Sequence, residues 1–199
     1  MLAAMKTEIT RADILPPDIY GRERRSLRAD IVEMKKLRRV SVGPVATFYF
    51  ENYRTMWHQV HEMLFIEKGG ESQIEDELRA YNSLIPKGSE LVATVMIEIE
   101  DPGRRARTLA RLGGIEQHMF IAIDGARVAA RPEGDLARTK ADGKTSAVHF
   151  VHFDFTPAQI ARFRDPAAQV VIGIDHPDYN HMAGLSGPVR EALARDFAG

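Results

Sequence analysis

The hydrophobic period changes near residue 90, and that change constrains the fold more than any other feature of the chain. Before it, apolar residues recur three and four apart: Tyr20, Leu27, Ile31 and Met34, then Tyr53, Met56, Trp57, Val60, Met63 and Leu64, then Ile74, Leu78 and Tyr81. At 100° per residue the second group falls within an arc of about 120°, the buried face of an amphipathic helix. From residue 91 the period is two: Ala93, Val95, Ile97 and Ile99 alternate with Thr94, Met96, Glu98 and Glu100, as in a strand.

These periods predict helices over 17–39, 51–66, 72–81, 104–112 and 157–163, with Val189, Leu193 and Phe197 marking a closing helix. They predict strands over 45–50, 91–99, 119–123, 128–129, 147–155 and 170–174. Local signals agree. Pro16-Pro17 opens the first helix, Gly69-Gly70 ends the second, Ser72 with Glu75 reads as a capping box, and Thr156-Pro157 with Gln159 as another. Asp124-Gly125 is a hairpin turn, and residues 132–144 read as the longest mobile loop. Helices gathered in the first half and strands in the second predict an α+β fold, with helices packed on a mostly antiparallel sheet of about six strands. The expected organisation is a single domain over 1–199, mainly helical over 1–86 and mainly sheet over 87–199.

The 199 residues are 44% apolar and 28% charged, a globular composition. There is no cysteine, which excludes disulfides, thiolate metal sites and cysteine nucleophiles. No apolar run approaches the roughly 20 residues needed to span a bilayer, and the opening five apolar residues are too short for a secretory core, so the expected location is the cytoplasm. Net charge is −1 but unevenly spread: residues 1–40 carry ten Lys/Arg against six Asp/Glu, and residues 62–101 ten Asp/Glu against three Lys/Arg. Either these are two solvated faces, or they are complementary docking surfaces for a protein partner or a second copy. The basic end lacks interleaved aromatics, so no nucleic-acid binding is expected.

Candidate chemistry is sparse. His58, His61 and Glu62 project from one side of the second helix with Arg54 and could chelate a divalent metal, yet the order matches neither His-Glu-x-x-His nor His-x-x-Glu-His. That arc lies opposite the apolar face, so the plainer expectation is solvent. Glu67 falls in the apolar arc, unless the helix has ended by then. His149 and His152 lie three apart in a strand and point to opposite faces. Asp175-His176-Pro177-Asp178-Tyr179-Asn180-His181 is a polar loop at a strand end, a place where sites occur. No Gly-x-Ser-x-Gly elbow, phosphate-cradling loop or dinucleotide fingerprint is present.

Three stretches taken together carry a resemblance. They are Phe50-Glu51-Asn52 leading to Gln59, Glu62-Met63-Leu64 and Glu67; Tyr81-Asn82-Ser83-Leu84-Ile85-Pro86; and Ala147-Val148-His149 with His176-Pro177-Asp178-Tyr179. With the basic helix before them they resemble a bacterial family known as a domain of unknown function, whose genes often lie near those of rubrerythrin and iron–sulfur proteins. The resemblance runs over nearly the whole chain and implies no activity. It implies a polar cluster of Glu51, Gln59 and Glu62 on one flank of the second helix, with Glu67 apart. The family pattern does not include histidine at 58 and 61, which weakens the metal reading.

The expectation is a non-enzymatic binding or accessory protein without a cofactor, serving a redox or oxidative-stress system. Its candidate site residues are Glu51, Asn52, Gln59, Glu62, Glu67, Tyr81, Asn82, His149, His176 and Tyr179. The alternative is a metal-binding protein or metal-dependent enzyme, with ligands from His58, His61 and Glu62 or from Glu62, Glu67, His149 and His176.

Overall fold

The computed structural model describes residues 5–134 and 144–198, and most of the loop expected at 132–144 lies outside them. Six helices stand where the sequence predicts them: α1 (Pro17–Lys36), α2 (Tyr53–Glu67), α3 (Glu71–Asn82), α4 (Pro102–Arg111), α5 (Pro157–Arg164) and α6 (Gly187–Ala194). Among the described residues there are eight strands: β1 (Arg39–Val42), β2 (Ala46–Glu51), β3 (Glu90–Ile97), β4 (Met119–Ile123), β5 (Ala126–Pro132), β6 (Val148–Asp154), β7 (Val170–His176) and β8 (Tyr179–Gly184). They form one sheet in the order β1-β2-β3-β6-β5-β4-β7-β8, with every pairing antiparallel. The α+β expectation holds, and the sheet has two strands more than expected.

Both extra strands lie at the sheet's ends, and both were obscured by composition. The Lys/Arg run after residue 34 read as the last turn of α1, but the helix stops at Lys36 and Arg39 opens β1. The polar segment after His176 read as a loop, but His176 pairs with Tyr179 across a tight turn and β8 follows. The sheet curls into a near-barrel in which these two end strands approach each other. The Tyr179 hydroxyl joins them: it donates to the Val42 carbonyl at 2.7 Å and accepts from the amides of Val45 and Ala46 at 3.1 and 3.0 Å. Gly43, at φ 70°, turns the chain there; a Cβ on it would lie 2.5 Å from the His181 ring.

Alternation sorts the side chains of β3. Leu91, Ala93, Val95 and Ile97 enter the barrel core with Phe48, Phe50, Val151 and Phe153. Val92, on the other face, joins a second core formed with α1, α2 and α3: Ile9, Tyr20, Met56, Trp57, Val60, Ile74, Leu78, Leu84 and Ile85. Trp57 is 8% exposed, and its indole N–H donates to the Asp13 carbonyl at 2.8 Å.

Caps set the helix positions. Asn52 Oδ1 accepts from the Thr55 amide at 3.0 Å, and Thr55 Oγ1 from the Asn52 amide at 2.9 Å, a reciprocal box opening α2. The Thr156–Gln159 box opens α5 as expected. The Ser72–Glu75 box does not form, because α3 begins earlier, with Gly70 as its N-cap. Asp124 and Gly125, at φ 49° and 87°, make the two-residue turn between β4 and β5.

Candidate functional site

The ten residues singled out from the sequence do not converge on one place. Glu51 is buried between two hydroxyls, those of Thr55 at 2.6 Å and Thr94 at 2.8 Å. Asn52 caps α2. Asn82 clamps the backbone of Ile9 at both ends, accepting from its amide at 2.7 Å and donating to its carbonyl at 2.9 Å. Gln59 lies beside Tyr81. Glu67 is the last residue of α2, exposed, and accepts from Gln73 at 2.7 Å. His176 is locked between the Gly113 carbonyl at 3.2 Å and the Asp178 amide at 3.1 Å. His149 lies inside the barrel, with Nε2 2.9 Å from the Ser146 carbonyl and Nδ1 3.6 Å from Glu116. His152 points to the other face, as expected from the strand period, and Tyr179 closes the barrel. Asn52, Asn82, His149, His176 and Tyr179 thus hold backbone, and Glu51 is buried within the fold.

The expectation that His58 and His61 face solvent is overturned. Both are buried because α1 lies across this side of α2. His61 Nδ1 donates to the Trp57 carbonyl at 2.7 Å while Nε2 accepts from the Leu15 amide at 2.9 Å. That pair of bonds fixes a neutral imidazole with no lone pair left for a metal. Glu62 is turned to α1: Arg24 grips it through two bonds at 2.8 and 2.7 Å, and the Tyr20 hydroxyl donates at 2.7 Å. The Arg24 hydrogen bonds, with that of Tyr20, hold the Glu62 carboxyl down at about 2. Burial pushes the Tyr20 hydroxyl upward and lowers His58 and His61, so all three stay neutral near pH 7. Among the described residues, no group of three His, Asp or Glu is placed to hold a metal ion.

Beside this cluster opens a cleft of about 590 Å³, within the range of small-molecule sites. Its walls are Ile14, Leu15, Pro16 and Pro17 before and at the start of α1, Leu64 and Phe65 of α2, and Ile74 of α3. Tyr20 and His61 form its inner end. Phe65 is held by the Tyr20 ring at 5.8 Å and by Arg24 stacked 4.9 Å from its centroid. At the rim, Arg11 is paired with Glu71, whereas Lys68, in the left-handed conformation that ends α2, has no ion-pair partner among the described residues. The polar groups of the inner end already have partners, His61 in the backbone of Trp57 and Leu15 and Tyr20 in Glu62. Among the described residues the cleft therefore offers apolar surface and one cation without an ion-pair partner, and its histidine keeps no lone pair free to take a proton.

Sequence reasoning missed Leu15, Tyr20, Arg24 and Phe65 as site residues. Tyr20 and Arg24 stand four apart on α1, a visible signal. Their meeting with Glu62, some forty residues on, depends on how α1 crosses α2.

A second polar cluster sits on the outer barrel face. His152 Nδ1 lies 2.8 Å from Glu90, its Nε2 lies 2.5 Å from Glu133, and Arg131 bridges Asp154 and approaches Glu90. Burial opposes the charge on His152, but the Glu90 hydrogen bond and the two carboxylates outweigh it and raise its pKa.

Fold and cleft together define an α+β protein, an eight-stranded near-barrel with a three-helix layer on its outer face. The chain belongs to the DUF3501 family of proteins of unknown function, whose model matches residues 8–197. It is similar to a novel protein of unknown function from Burkholderia pseudomallei K96243, known from its crystal structure. The two are 40% identical over 96% of this chain and 99% of that one, with a TM-score of 0.88. No curated protein matches the chain.

Proposed function

We propose that the protein is a non-enzymatic binding protein whose site is the cleft between α1, α2 and α3, taking a small apolar molecule with an anionic end. One observation carries this reading: the 590 Å³ cleft is walled by apolar side chains, while its histidine is satisfied by backbone and its tyrosine by Glu62. Burying apolar surface favours such a ligand by about 25 cal/mol per Å². Lys68 at the rim would meet the acidic end. The accessory role in redox chemistry implied by the resemblance would be carried by what is bound, since the chain has no thiol of its own. A cytoplasmic location suits it. A protein partner or second copy would meet Ile66, exposed on the side of α2 turned away from the cleft.

An anionic naphthalene dye, anilinonaphthalene sulfonate, tests this. Saturable one-to-one binding is expected, lost in Ile74→Trp, which fills the cleft, and weakened in Lys68→Glu. Dye binding unchanged in a folded Ile74→Trp variant would overturn the assignment.

A further inference from the structure

Between β3 and β4 in the chain, α4 carries Arg104, Arg105, Arg107 and Arg111 in ten residues. At 100° per residue, Arg104, Arg107, Thr108 and Arg111 share an arc of about 100°. Leu109 points away from it into the barrel core, and Arg105 donates to the Ile99 carbonyl at 3.1 Å. The arginine face borders a cleft of about 290 Å³, lined by Arg104, Arg107, Thr108, Arg111, Leu112 and Asp178. Arg111 is paired with Asp178, at the turn between β7 and β8. Arg104 and Arg107 have no carboxylate partner among the described residues, whereas Arg24, Arg38, Arg127, Arg131 and Arg162 each have one.

We propose that this cleft is a binding site for a small polyanion, a compound presenting two linked phosphate groups. Three guanidiniums against one carboxylate leave a net +2 around a space too small for a drug-sized ligand. Guanidinium matches the geometry of phosphate oxygens with paired N–H donors, which an ammonium does not. Spacings of three and four residues place the donors on one side, where like charges otherwise destabilise a helix. Thr108 adds a hydroxyl. The lining has no aromatic ring on which a base could stack, so the site fits the phosphate groups themselves rather than single-stranded nucleic acid. Asp178, kept ionised by Arg111, faces the same space and opposes the anion.

Calorimetric titration with inorganic pyrophosphate at low ionic strength tests this site independently of the apolar cleft. One-to-one binding is expected, tighter than that of orthophosphate. Arg107→Ala should weaken it roughly tenfold, the loss of a charge-assisted hydrogen bond, and Arg104→Ala with Arg107→Ala should abolish it. Asp178→Asn should strengthen it, an effect no purely structural role of Asp178 produces. All three positions are exposed, and an unchanged melting temperature confirms folding. No saturable heat with pyrophosphate, equal binding by the double variant, or tighter binding of a single-stranded oligonucleotide through the same arginines would overturn the proposal.

Discussion

Tyr179 shows what a single side chain contributes here. Its hydroxyl satisfies one carbonyl and two amides where the two end strands of the sheet meet. Tyr179→Phe keeps the ring and strands those backbone groups, so it should cost about 1–3 kcal/mol, read as a lower urea midpoint with unchanged slope. The same logic explains why the quoted motifs scatter over the molecule. Asn52, Asn82, His176 and Tyr179 each bind main chain. The residue types were legible in the sequence, since a short amide before a helical run signals a cap. Their partners were not: Asn82 meets Ile9, and Tyr179 meets Val42, across more than 70 and 130 residues. Glu62 differs because both its partners lie on one neighbouring helix. Its pKa is lowered, so its contribution is full above the ordinary value of 4.5 and is lost as pH falls towards about 2. Glu62→Gln should cost about 1–3 kcal/mol at pH 7 and little at pH 2, as thermal melts at the two pH values will show.

At the scale of elements, α2 is the piece the sequence described best and misjudged most. Its apolar stripe was plain from period alone, and Trp57 lies within it, buried as expected. Trp57→Ala should cost about 3–5 kcal/mol; native emission typical of water-exposed indole would contradict its burial. The opposite stripe read as solvent because one helix wheel shows only one packing face, and α2 has neighbours on two sides. The basic run after α1 was misjudged for a related reason. Periodicity shows where a helix starts more clearly than where it ends, and Arg38 turns inward just beyond the end. It bonds the Phe50 and Glu51 carbonyls, each at 3.0 Å, and pairs with Asp196, which is 6% exposed and whose pKa burial raises. Arg38→Ala leaves that carboxylate buried alone and should cost about 3–5 kcal/mol. Arg38→Met with Asp196→Leu should recover part of the loss in chemical denaturation.

Over the whole molecule, the uneven charge of the sequence is partly neutralised by the fold. Arg11, from the basic end, pairs with Glu71 of the acidic α3, Lys36 pairs with Glu33, and Arg79 with Asp76. What remains is a pH response assembled from distant parts. His152 joins β6 to Glu90 of β3 and to Glu133 just beyond β5, with Arg131 and Asp154 the other charged groups beside it. Both ring nitrogens face carboxylates, so the cation satisfies two bonds and the neutral ring only one. Its pKa is raised, so its contribution is fully present below the ordinary value of 6.5 and is lost as pH rises through the higher folded value. His58 and His61 act with the opposite sign. Their pKa values are lowered by burial, so their contribution is present above 6.5 and is lost as pH falls through the folded values. The melting temperature of the wild type therefore falls on both sides of neutrality, on the alkaline side through His152. His152→Gln keeps at most one of the two contacts and carries no charge to lose. Its melting temperature should lie below the wild type at pH 6 and approach it as pH rises, while the acid limb set by α2 is unchanged. A constant difference between the two proteins from pH 6 to pH 9 would show that His152 is not held as a cation.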